Sequence, residues 1–276
     1  MNPASTHRYA VLGHPISHSK SPLIHQQFAR QFDFDIDYQA IDVAPGSFEK
    51  TVREFMASGG LGCNVTVPYK QEAFELADEL SGRAQFAGAV NTLKFEQGQR
   101  IFGDNTDGIG LLRDLTINLD QTLFGKRLLV LGAGGAVRGV LAPLMEQAPK
   151  ALVIANRTVS KAQELATVFS SIGDILPSSF DALAGQQFDI VINGTAASLS
   201  GDVPPLPQDI FSQNALAYDL MYAKEPTAFM RWALEHGAAR ISDGLGMLVE
   251  QAAESFYLWW GRQPDTASVI GLLRNG

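Results

Sequence analysis

The chain has 276 residues, 46% of them hydrophobic and 18% charged, which is the length of about two average domains and enough for a sizeable core. A formal net charge of −8 argues against nucleic acid or an anionic membrane as the main partner. The one cysteine, Cys63, excludes an intrachain disulfide, argues against a cysteine-based metal site and suits a reducing compartment. No basic-then-apolar leader pattern occurs, and no uncharged apolar run reaches the ~18 residues of a membrane span. A soluble cytoplasmic protein is expected.

In chain order, "RYAVLG" (8–13) predicts a strand, followed by a Ser/His loop. A helix is expected from "SPLIHQQFARQF", with Ser21 as N-cap and Pro22 at the first helical position. Ile24, Phe28 and Phe32 recur every four residues and form its apolar face. "FDIDYQA" (34–40) alternates as a strand, and "SFEKTVREFM" (47–56) carries Phe48, Val52, Phe55 and Met56 on one helical stripe. "NVTVPYK" then begins as a strand, with Val65 and Val67 expected in the core and Asn64 and Thr66 on the opposite face. Pro68 stops the ladder, and Lys70 arrives at a helix start.

The order β-α-β-α-β favours a mainly parallel sheet. Residues 89–107 predict a hairpin with its turn near Gln97-Gly98, which would return the chain so that Asn91 approaches the Asp104–Asp107 region. After the helix "GIGLLRDLTINL", the second half opens with "KRLLVLGAGGAVRGVLAPLM" (126–145), an apolar strand entering a Gly-rich turn and a helix. "ALVIANRTVSKAQELATVF" repeats the order, "FDIVINGTAAS" and "LAYDLMY" supply further strands, and residues 244–261 predict a long helix.

Two features of the second half point to a cofactor. Gly132-Ala133-Gly134-Gly135-Ala136 would let the backbone approach a pyrophosphate at a helix N-terminus, although Val137 stands where the third glycine of G-x-G-x-x-G belongs. The next strand ends in Asn156-Arg157-Thr158, with Lys161 one turn beyond. No acid stands there to hold a bare ribose, whereas two cations suit a 2′-phosphate. The pair predicts NADP(H). In the first half, Ser17 and Ser19 offer hydroxyls beside helix-start N–H groups, a carboxylate site or simply turn and capping residues. His14, His18 and His25 lack acidic or cysteine partners at ligand spacing, so no metal is expected.

The motifs "GHPISHSKSP", "NVTVPYK", "GAVNT", "GDNTDGIG", "GAGGA", "ANRT", "YDLMY" and "DGLGMLVEQAA", in that order over nearly the whole chain, resemble the shikimate dehydrogenase family. The resemblance implies an α/β chain with an N-terminal substrate domain (1–107, with a C-terminal helix over 248–276 packing back on it). A Rossmann-type NADP domain (108–247) would follow, with the active site in the cleft between the two. It implies reversible NADPH-dependent reduction of 3-dehydroshikimate to shikimate in aromatic amino-acid (chorismate) biosynthesis. Ser17 and Ser19 match the serines that hold the substrate carboxylate, and Thr66, Asn91, Tyr222 and Gln251 match other substrate contacts. Lys70 and Asp107 match the catalytic pair, both close to substrate. Gly132, Ala133, Gly134, Gly135 and Ala136 would carry the pyrophosphate; Asn156, Arg157, Thr158 and Lys161 the adenosine phosphate; Thr195, Leu220, Gly244 and Met247 would line the cofactor. The chain departs from the pattern at Lys161, where many members carry Arg, at Leu220, often Met, and in a Ser-poor loop after Asn193.

Within that resemblance Lys70 would exchange the proton on the carbonyl oxygen, tuned by the helix macrodipole and by pairing with Asp107. A quinate/shikimate dehydrogenase with relaxed substrate or cofactor choice is the nearest alternative; Ser19, where quinate users often carry Thr, favours shikimate. A non-catalytic NADP(H) sensor is the remote one. A monomer or homodimer is expected.

Overall fold

The computed structural model describes residues 6–195, 197 and 201–275, and the chain divides into two compact units, Met1–Gly110 with Val249–Gly276, and Leu111–Leu248. The first unit begins with β1 (His7–Gly13), α1 (Ser21–Arg30), β2 (Ile36–Asp42), α2 (Phe48–Ala57), β3 (Gly60–Val65) and α3 (Lys70–Leu76). It continues through β4 (Glu79–Leu80), α4 (Gly82–Ala87), β5 (Thr92–Phe95) and β6 (Ile101–Asp104) to α5 (Asp107–Arg113). Its sheet runs β2-β1-β3-β5-β6-β4. β1 is parallel to both β2 and β3, whereas β5 is antiparallel to β3 and to β6.

β1 is apolar at both parities because both faces of the sheet are covered. Ala10 and Leu12 pack with Val43, Phe48, Val52 and Phe55 on one face. Tyr9 and Val11 pack with Tyr38, Trp259 and Trp260 on the other. Trp259 stacks on Tyr9 at 4.4 Å between ring centroids and donates its indole N–H to the Leu93 carbonyl at 3.0 Å. That approach needs Gly62, where a Cβ would fall 2.6 Å from the indole nitrogen. The expected hairpin forms from β5 and β6, with Gly98 in the turn at φ 76°.

Three local expectations are corrected. β3 ends at Val65, so Val67 leaves the sheet and is 66% exposed rather than in the core. The cap position of α1 is Lys20, and Ser21, the first helical residue, has its N–H met by Ser19 Oγ at 3.3 Å. The C-terminal segment is two helices, α9 (Leu245–Trp260) and α10 (Ala267–Asn275), because Gly261 turns the chain at φ 63° and Pro264 cannot extend a helix.

The second unit holds β7 (Arg127–Leu131), α6 (Gly135–Met145), β8 (Ala151–Ala155), α7 (Val159–Val168) and β9 (Ile175–Ser178). β10 (Phe188–Asn193), β11 (Phe211–Asp219), α8 (Ala228–Glu235) and β12 (Arg240–Asp243) follow. The sheet is parallel throughout, in the order β12-β11-β10-β7-β8-β9. Counted from β7 this is the doubly wound order 3-2-1-4-5-6, whose strand sequence reverses direction between β7 and β10. Ala196 and Ser198, in the loop read as Ser-poor, lie outside the described residues. No helix among the described residues is long and apolar enough to cross a membrane.

One core histidine carries a measurable consequence. His25 is fully buried and stacked on Tyr38 at 4.4 Å with the rings 7° apart. Burial lowers its pKa to about 3, with Asn64 weakly opposing. An unfolded chain takes up that proton near pH 6.5, so stability falls as pH drops from about 6.5 towards 3. Urea unfolding at pH 7 and pH 5 should show a His25 contribution of about 2 kcal/mol lost between them. The His25→Phe variant should lack that part of the slope; an identical slope in both proteins would contradict it.

Candidate active site

In a sheet wound 2-1-3, the connecting loops leaving the carboxyl ends of the adjacent strands β1 and β3 run in opposite directions and open a crevice. Those loops in the first unit follow β1, with Ser17 and Ser19, and β3, with Thr66 and Lys70. Gly13 ends β1 beneath Thr66: a Cβ there would lie 2.5 Å from the Thr66 methyl. The Thr66 N–H reaches the Leu12 carbonyl at 2.9 Å and continues the ladder one residue past β3. Ser17 is exposed and Ser19 half-buried. Ser19 Oγ also serves the start of α1, so turn-building and ligand-holding are compatible roles for it.

Lys70 opens α3, and its carbonyl accepts from Val90 N–H at 2.8 Å. Its Nζ lies 2.5 Å from Asp107 Oδ2, the ammonium being 28% and the carboxylate 12% exposed. Asp107 opens α5, where the positive end of the peptide dipoles favours a carboxylate, and its N–H bonds Asn105 Oδ1 at 3.1 Å. Asn91 Nδ2 donates to Asp107 Oδ1 at 2.8 Å and lies 3.3 Å from Gln251 Oε1. Asn91 Oδ1 accepts from Thr106 N–H at 2.9 Å. Lys70, Asn91, Asp107 and Gln251 therefore form one hydrogen-bonded cluster, with Thr66 on the segment that leads into it.

Sequence reasoning passed over several members of this network. Thr106 bonds both Asn91 and Gln251. Thr92 and Ser255 meet at 2.7 Å and share the Asn64 carboxamide, whose oxygen accepts from Tyr38 at 2.7 Å. Ser255 was detectable, since it stands four residues after Gln251 on the same helix face.

In the second unit the Gly-rich turn leaves β7 at the strand-order reversal. Gly132 has φ 100°, and a Cβ there would lie 3.0 Å from the Gly194 carbonyl. Val137, in place of a third glycine, is buried, and Gly194 supplies the missing space: its Cβ would fall 2.4 Å from Val137 Cγ2. Gly134, Gly135 and Ala136 are exposed at the start of α6, whose cap makes no side-chain hydrogen bond. Nothing would meet a Cβ at Gly134 or Gly135. Bare helix-start N–H groups beside open space fit a pyrophosphate.

Arg157, Thr158 and Lys161 are exposed around the start of α7, and Asn156 Nδ2 closes the turn on the Thr158 carbonyl at 2.8 Å. Exposed cations beside such a turn fit a 2′-phosphate. Thr195 bonds Asn193 Oδ1 through both its N–H and its hydroxyl. Leu220 and Gly244 bring the loops after β11 and β12 together, with a Cβ at 244 only 2.2 Å from the Leu220 carbonyl. Ala133, Leu220, Tyr222 and Met247 are all half-buried; burial raises the Tyr222 pKa.

Comparison with known proteins decides the family. A model of the shikimate dehydrogenase substrate binding domain matches residues 11–93. A shikimate / quinate 5-dehydrogenase model matches 115–200, and a shikimate 5′-dehydrogenase C-terminal domain model matches 244–274. The NADP(+) shikimate dehydrogenase of Nitrosospira multiformis is 55% identical over 97% of this chain and 97% of its own. The chain belongs to the shikimate dehydrogenase family. The family enzyme of Methylococcus capsulatus is 56% identical over 96% of this chain and 95% of its own. Among solved structures, an Ael1 enzyme from Pseudomonas putida superposes with TM-score 0.93 at 52% identity, covering 97% of this chain and 98% of that one. The shikimate dehydrogenase of Thermus thermophilus, solved with NADP(H) and shikimate, gives 0.85 at 33% identity, covering 98% and 99%.

The crowding at Gly244 yields a stability prediction. Gly244→Ala should destabilise the protein by about 1–3 kcal/mol, the usual cost of overpacking. A thermal midpoint equal to the parent's would contradict the close approach.

Proposed function

We propose that this chain is an NADP-dependent shikimate dehydrogenase that reversibly reduces 3-dehydroshikimate to shikimate in aromatic amino-acid biosynthesis. The observation that carries the reading is the partly buried, hydrogen-bonded Lys70–Asp107–Asn91–Gln251 cluster in a member of this family. Reducing a ketone to an alcohol takes a hydride on carbon and a proton on oxygen. NADPH supplies the hydride when bound; the protein holds the substrate and handles the proton.

Lys70 and Asp107 form the proton-handling pair. Lys70 donates towards the carbonyl oxygen as negative charge develops there, and in the reverse direction the pair receives the hydroxyl proton. Asn91 fixes one Asp107 oxygen, leaving the other to hold Nζ, so the ammonium keeps its aim without reorganisation. Ser17, Ser19 and Thr66 take the carboxylate end of the substrate; Asn91, Tyr222 and Gln251 take its hydroxyls and carboxylate. The turn Gly132–Ala136 holds the pyrophosphate, and Asn156, Arg157, Thr158 and Lys161 the adenosine 2′-phosphate. Thr195, Leu220, Gly244 and Met247 line the rest of the cofactor site. Residues 1–107 with 248–276 are thus the substrate domain, and 108–247 the NADP domain.

Cytoplasmic residence is part of the proposal, supported by the single cysteine, which allows no intrachain disulfide, as is a monomeric or homodimeric state. A relaxed quinate/shikimate specificity is the second reading, prompted by the description of the matching family model. Initial rates with shikimate or quinate, each paired with NADP+ or NAD+, separate the two. Shikimate with NADP+ should be fastest, and comparable rates with quinate would favour the second reading.

Lys70→Ala should lower kcat by at least ~100-fold, the scale of a positioned acid or base; near-normal turnover would remove Lys70 from the reaction. Arg157→Ala should raise KM for NADPH far more than KM for 3-dehydroshikimate. Equal rises in both would deny Arg157 its phosphate.

A further inference from the structure

Arg83 lies outside every motif discussed above, yet it joins two parts of the candidate site. It sits in the first turn of α4, where the helix dipole disfavours a cation, so other groups must hold it there. Its Nε and Nη2 bond the two oxygens of Asp104 at 2.8 and 2.6 Å, and Nη2 also reaches Glu254 Oε1 at 2.8 Å. The Asp104 side chain is 3% and that of Glu254 11% exposed. Burial works to raise the Asp104 pKa, but Arg83, Ser81 and the Asn105 N–H together leave it lowered, so the carboxylate is held as an anion.

Both partners of Arg83 lead into the cluster. Asp104 Oδ1 accepts from Ser81 Oγ at 2.5 Å and from the Asn105 N–H at 2.7 Å, and its carbonyl accepts from Asn91 N–H at 3.0 Å. Asp104 therefore ties down the start of the four-residue segment that ends in Asp107. Glu254 stands one helical turn after Gln251 on α9, so it reports on the orientation of the face that presents Gln251 to Asn91. We infer that Arg83 is a positioning residue that holds the Asp107 segment and the Gln251 face of α9 in register, and through them the Lys70–Asp107 pair. A planar guanidinium can serve both carboxylates at once, which an ammonium on a flexible stem does not reproduce.

The test uses the full chain with Arg83→Lys, Arg83→Met and Glu254→Gln. Two readouts are needed, because the kinetic one rests on the dehydrogenase reading and the other does not. The first is the rate at which Lys70 is acetylated by acetic anhydride, followed on its peptide by mass spectrometry. The second is steady-state oxidation of shikimate by NADP+ across pH.

In both Arg83 variants Lys70 should be acetylated several-fold faster. Shikimate KM should rise about tenfold, kcat should fall about tenfold or more with a displaced pH profile, and KM for NADP+ should stay within about twofold. Glu254→Gln, which releases only the α9 arm, should raise shikimate KM while leaving Lys70 acetylation unchanged. If Arg83→Met does not fold, Arg83→Lys and Glu254→Gln decide. A folded Arg83→Lys with parental acetylation and parental shikimate KM overturns the inference. So do equal rises in the two KM values, which would mark general loosening. If the parent chain does not oxidise shikimate, the dehydrogenase reading falls and the acetylation rates alone decide the role of Arg83.

Discussion

The first unit is organised around the carboxamide and main chain of one residue, Asn91. Its carbonyl accepts from Val65, the last residue of β3, at 2.8 Å, and its N–H is taken by Asp104 at the end of β6. Its side chain adds Asp107, Thr106 and Gln251. Three separate stretches of chain thus meet at Asn91, which is 3% exposed. A buried amide left without partners is costly, so each stretch is held by the requirement that the others be in place. The geometry at Lys70 follows, since its carbonyl is bonded to Val90, the residue just before Asn91.

Both units use the same topological device for different ends. Adjacent parallel strands whose connections leave in opposite directions open a crevice at their carboxyl ends. In the first unit it is edged by hydroxyls and a lysine; in the second, by bare helix-start N–H groups and exposed cations. The device explains why the polar residues proposed for the site lie in loops and helices beyond the strands rather than within them. It also explains the glycines at Gly13 and Gly132, where the loop crossing overhead leaves no room for a side chain.

Much of this was legible in the order of residues. "RYAVLG", the β5–β6 hairpin and the apolar strands of the second unit announce themselves through composition and turn chemistry, and the hairpin alone predicted that Asn91 would meet the Asp104–Asp107 segment. Val67 was misread because alternation says nothing about where a strand stops; it leaves the sheet as the chain turns towards Lys70. The residue pattern over 244–261 matches α9, whereas the single helix over 248–276 that the resemblance implies is broken at Gly261 and Pro264. Arg83 gave no local signal at all. Its meaning depends on Asp104 and Glu254, distant in sequence and adjacent only after folding, and no periodicity records such a junction.

The pairing of Val137 with Gly194 alters how the dinucleotide motif is to be understood. The compactness usually granted by a third glycine within one short stretch is here divided between a helix and the loop across the crevice. Enlarging residue 194 is blocked most tightly by Val137, with Leu220 and the Leu131 carbonyl also close. The two form a single steric unit, so a substitution at either one is felt at the other. A pattern that demands all its glycines in one segment overlooks chains built this way.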